Sequence, residues 1–74
     1  MVNINKLRGK IVECGMTSSN VSEAMGINKS TFYRKISGDY PFTIRDADRL
    51  VDILHLTADE ARAIFFSQIV AETR

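Results

Sequence analysis

Five hydrogen-bond donors, Lys29, Ser30, Tyr33, Arg34 and Ser37, recur at spacings of three and four. On a helix that spacing gathers them on one face. No Asp or Glu lies between Glu23 and Asp39, so the face carries donors and positive charge without a compensating carboxylate. Cations neutralise phosphates, and hydroxyl and guanidinium donors match the acceptors on base edges. A helix about 10 Å across fits the major groove of a duplex, where its N-terminal residues reach base edges. The chemistry this face suits is therefore recognition of a polyanion, with Lys29, Ser30, Tyr33 and Arg34 as candidate base contacts and Lys35 as a candidate phosphate contact. A solvated helix face is the plainer alternative, and for Tyr33 a ring packed on the edge of the protein.

Such a face must be propped outward by other elements, and one short pattern repeats five times to supply them. An apolar residue precedes Asn or Thr, then come three residues, then a second apolar residue. The instances are Val2-Asn3 with Leu7, Met16-Thr17 with Val21, Ile27-Asn28 with Phe32, Phe42-Thr43 with Ala47, and Leu56-Thr57 with Ala61. Each reads as a helix start: the polar side chain caps free backbone N–H groups and the apolar pair staples the entry. Thr43 with Asp46 and Thr57 with Glu60 add an acid at the third helical position. Gly15, Gly26 and Gly38 supply stops. The spacing predicts five helices, near 4–14, 18–25, 29–37, 44–54 and 58–72, and no strand, since sustained alternation is missing.

The apolar positions predict the core. Helix 1 offers Ile4, Leu7, Ile11 and Cys14; helix 4 offers Ala47, Leu50, Val51 and Leu54. Val21, Met25, Ile27, Phe32 and Ile36 pin helices 2 and 3. Only Gly26, Ile27 and Asn28 separate those two helices, so they must cross steeply, with Ser22 or Ala24 as the small residue at the contact. The expectation is an all-α, compact five-helix bundle forming a single domain over 1–74.

Net charge is +1, but it is unevenly placed. Through Gly38 there are six basic and two acidic residues, net +4; after it four basic and seven acidic, net −3. That pattern fits one polyanion-facing side and a second side with another role. Among the early cations Lys10 is the best further phosphate candidate, while Lys6 and Arg8 read as solvated. Seventy-four residues with 45% hydrophobic and 26% charged composition exclude collagen-like and disordered classes. The longest uncharged stretch near the end, Ala63 to Ala71, is too short to span a membrane. The N-terminus lacks a signal-peptide pattern. One cysteine allows no internal disulfide, which suits a cytoplasmic setting. His55 has no partner at ligand spacing, so no metal or other cofactor is expected. No nucleophile–base pair or phosphate-cradling glycine loop points to an enzyme.

The run Met25-Gly-Ile-Asn-Lys-Ser-Thr-Phe-Tyr-Arg-Lys-Ile-Ser-Gly38 resembles the helix-turn-helix of phage repressor/Cro-type DNA-binding proteins. Phe42-Thr-Ile44 and Glu60-Ala-Arg-Ala-Ile-Phe-Phe66 also resemble members of that family. The resemblance covers nearly the whole chain and implies a lambda-repressor-like DNA-binding domain with the helix-turn-helix at 17–37. It also implies a homodimeric transcriptional regulator on double-stranded DNA. Carried over by position, Lys29 and Ser30 are first-turn base readers. Tyr33 and Arg34 follow one turn on, within reach of bases or phosphates, and Thr17, Ser18, Ser19 and Asn28 face phosphates at helix starts. The chain departs from the family in three places. Ser18 stands where many members carry Gln, Ser22 where Ala is usual, and Lys35 where many have an apolar residue.

Phe65, Phe66, Ile69 and Val70 spread apolar surface over a wide arc of helix 5, so they suit a dimer seam, or else a buried C-terminal helix. A protein-interaction module on the same scaffold, such as an antitoxin or antirepressor-type partner, is the alternative function. It would use helix 5 and the acidic second half.

Overall fold

Five helices form where the capping pattern places them in the computed structural model, which describes residues 2–66. They are α1 (Ile4–Glu13), α2 (Ser18–Met25), α3 (Lys29–Ser37), α4 (Ile44–Leu54) and α5 (Ala58–Phe65). No strand occurs among the described residues, and no helix among them is long and apolar enough to cross a membrane. Every expected cap is made: Asn3, Thr17, Asn28, Thr43 and Thr57 each accept a hydrogen bond from a first-turn backbone N–H. The two expected capping boxes are joined by a third, in which Asn20 answers Thr17. Asn has the reach and the acceptor for this role without the negative charge of an acid. The expected extension of α5 over 67–72, with Ile69 and Val70, lies outside the described residues.

The core is one cluster. Leu7, Val21, Met25, Phe32, Leu50 and Leu54 are almost fully buried, and Ile11, Ile36, Ala47, Leu56, Ile64 and Phe65 complete it. Ile4, Ile27 and Val51 are half-buried against its edge. Neighbours are α2 with α3, α2 with α4, α1 with α5 and α4 with α5. The chain start is fastened to α5 by the Asn3 N–H, which donates to the Ile64 carbonyl at 2.7 Å.

Cys14 departs from the expectation that it is a core residue: it is exposed. The helical stripe stops one residue short of it, because α1 ends at Glu13 and Cys14 is the cap. Its thiol donates instead to the Leu54 carbonyl at the end of α4, at 3.5 Å. The end of α4 falls at Leu54 as expected, although no glycine follows. His55 takes the left-handed conformation itself, φ 53°, and the Leu56 N–H closes back on the Val51 carbonyl.

Candidate nucleic-acid interface

The turn between α2 and α3 decides how α3 is presented. Gly26 sits at φ 73°, in the left-handed region that costs a residue with a Cβ roughly 1–2 kcal/mol. The Ile27 N–H then returns to the Ser22 carbonyl at 3.0 Å, which closes the end of α2. Ser22 is the small residue at the contact. It is 3% exposed, and its hydroxyl donates to the Ser19 carbonyl at 2.9 Å, so burial leaves no donor unpaired. Ala24 faces outward.

With Phe32 and Ile36 buried, the opposite side of α3 faces water. Lys29, Ser30, Tyr33, Arg34 and Ser37 are all exposed, Tyr33 at 66%. Ser30 is locally engaged: its N–H and hydroxyl both donate to the Asn28 side-chain oxygen, at 3.2 and 3.1 Å. Asn28 is thus a cap that also orients Ser30. Lys29 makes no ion pair among the described residues. Thr17, Ser18 and Ser19 are exposed at the start of α2. The first-turn N–H groups there have no intrahelical acceptor. A groove between α1, the start of α2 and α3 brings Thr17, Ser18 and Tyr33 together with Arg8 and Val12. Arg8, read as merely solvated from sequence, therefore lies on the same side as the α3 face.

Two expected phosphate contacts are spent inside the molecule. The Lys35 ammonium donates to the Asp46 carboxylate at 2.8 Å and to the Pro41 carbonyl at 3.2 Å, and both charged side chains are only 13% exposed. Ile36, next along, takes the core position, which rotates Lys35 off the donor face toward α4. Lys10 donates to Glu13 at 2.6 Å and to Glu60 at 2.8 Å, bracing α1 against α5. Those two hydrogen bonds hold its ammonium above the ordinary lysine range. The bond from Lys10, followed by that from the Thr57 N–H, draws the Glu60 carboxyl below the usual carboxylate range.

Asp46 closes the arrangement. Partial burial pushes its carboxyl up, but the Lys35 ammonium and the Thr43 N–H together outweigh this and leave it lowered. Three residues on, Arg49 donates to the Met25 carbonyl at the C-terminal end of α2, where a cation also meets the negative end of the helix dipole. The first half of α4 thus grips both members of the α2–α3 pair. Neither clamp carries a sequence signal, since each joins residues far apart in the chain.

The expected dimer seam divides. Phe65 is 6% exposed and its ring meets Phe42 edge-on at 6.3 Å, so it belongs to the core and is removed from an outward seam. Phe66, 39% exposed, stays at the surface beside Ile44 and Val2. Phe66 follows the last residue of α5 and leaves the helical backbone at φ −129°, so it does not share the inward face of Phe65. No family model, curated protein or solved structure matches the chain.

Proposed function

We propose that the chain is a sequence-specific DNA-binding regulator of the phage-repressor type, a helix-turn-helix protein that occupies operator DNA with α3 in the major groove. The observation that carries this reading is the acid-free donor face of α3, exposed along its length and braced from behind by Phe32, Ile36 and the α4 clamps. In this mechanism no bond is made or broken. Phosphate contacts from Thr17, Ser18, Ser19, Asn28 and Arg8 set register, and Lys29, Ser30 and Tyr33 discriminate bases. Lys10 and Lys35 drop out of the contact set because their charges are already neutralised. The cytoplasm is the setting that goes with this role.

Selection of bound sequences from random duplexes, followed by affinity at two salt concentrations, tests the reading. A recovered consensus with a falling log–log salt dependence supports it; recovery of no enriched sequence and no salt-dependent binding sinks it. Lys29→Ala is expected to reduce discrimination between the selected site and a one-base variant by about 1–3 kcal/mol. An equal loss on all sequences would remove Lys29 from base readout.

The apolar pair Ile44, 77% exposed, and Phe66, 39% exposed, favours a homodimer through this surface or, as a second reading, a protein-interaction module of antitoxin type. Phe66→Glu is expected to shift the protein toward monomer in sedimentation equilibrium and to weaken binding to a two-half-site duplex more than to a single half-site. An unchanged mass distribution would take Phe66 out of the seam.

A further inference from the structure

Arg34 differs from the other donors on its face in where its charge is held. Its guanidinium carbon lies 5.7 Å from the centroid of the Tyr40 ring, within cation–π reach. The loop that carries this ring is fastened to Arg34 itself. The Asp39 and Tyr40 N–H groups donate to the Arg34 carbonyl at 2.9 and 3.2 Å, and the Ser37 hydroxyl joins them at 3.2 Å. Tyr40 stays 45% exposed, so the ring supports the guanidinium at the surface without burying it. No carboxylate pairs with Arg34 among the described residues.

Direction follows from this contact. The base-reading end of a recognition helix is its N-terminus, here Lys29 and Ser30. Arg34 starts about 7.5 Å further along the axis, and Tyr40, past the C-terminus of α3, draws its side chain away from that end. A guanidinium resting on an aromatic face keeps its edge N–H groups available for forked donation to a phosphate. Being held in place beforehand, it loses less side-chain freedom on binding.

Resting on the DNA-binding reading above, we infer that Arg34 anchors a backbone phosphate beside the groove instead of reading a base, and that Tyr40 is its positioning residue. The selected duplex and a base-shuffled duplex, each titrated over a range of salt, test this with four variants: Arg34→Ala, Tyr40→Ala, Tyr40→Phe and the double alanine. Arg34→Ala should weaken both duplexes by the same factor and reduce the salt slope by about 0.9. Tyr40→Ala should weaken binding ~2–5-fold with the slope kept, since the charge remains, and Tyr40→Phe should restore wild-type affinity. In the Arg34→Ala background Tyr40→Ala should cost nothing further. A loss from Arg34→Ala confined to one base pair, or an equal cost of Tyr40→Ala in both backgrounds, overturns the assignment.

NMR separates this failure from that of the wider reading. The Arg34 δ-protons should be shifted upfield by the Tyr40 ring and return to ordinary positions in Tyr40→Ala. An unshifted wild type overturns the pairing. A shifted wild type that binds no duplex overturns DNA binding, and the phosphate role with it.

Discussion

Phe32→Ala is expected to remove about 3–5 kcal/mol of unfolding free energy, measured by urea denaturation followed by circular dichroism. The residue is 1% exposed and stands where α2, α3 and α1 meet. Its removal leaves a void that the flanking helices cannot collapse into without shifting α3 against α2. Native proteins hold only about 5–15 kcal/mol in total, so this loss is a large fraction of the stability of the fold. Ile36→Val, on the same stripe of α3, provides a graded companion, with an expected loss of about 0.5–1.5 kcal/mol. A loss below ~1 kcal/mol for Phe32→Ala would mean that the ring is not the main support of α3 and that α3 could leave the bundle cheaply.

Asp46→Asn should cost about 1–3 kcal/mol at neutral pH. Asn keeps an oxygen for the Thr43 N–H, so the substitution isolates the charge opposite Lys35. The acid dependence has a defined sign. Because the folded carboxyl is lowered, its stabilisation is fully present above the unfolded carboxylate value of about 4. It is lost as pH falls through the lower folded value. Wild type and Asp46→Asn should therefore differ at neutral pH and converge in acid. Glu60, lowered by Lys10 and Thr57, loses its contribution in the same direction in both proteins, so the comparison cancels it. A gap between the two proteins that persists unchanged into acid would show that the Lys35–Asp46 pair does not hold α3 to α4. Lys35→Ala should reproduce the neutral-pH loss and, combined with Asp46→Asn, add little to it.

The reach of sequence reasoning followed the range of the interactions involved. Helix starts were legible because a cap and its N–H donor lie two or three residues apart. The five Asn and Thr residues therefore placed all five starts, and the glycines placed three ends. The donor face of α3 was legible for the same reason: periodicity assigns Lys29, Ser30, Tyr33, Arg34 and Ser37 to one side, and Phe32 and Ile36 to the other. Cys14 failed where that logic stops, one residue beyond the last helical turn. The end of α4 at Leu54 was legible, but the left-handed His55 that closes it was not, because a non-glycine residue in that region carries no local mark.

Charge was the property least legible from the linear chain. Lys35 lies next to Arg34 in sequence and has the same sign, yet one is half-buried and paired with Asp46 while the other rests exposed on Tyr40. Lys10 likewise meets Glu60 fifty positions away. Local backbone preferences and helical periodicity follow from short-range sterics and hydrogen bonding, so the amino-acid order alone determined where the helices lie and which side of each is apolar. Whether a given cation remains available to a partner depends on which distant carboxylate, carbonyl or ring the packing brings within a few ångströms. Only the tertiary structure decided that.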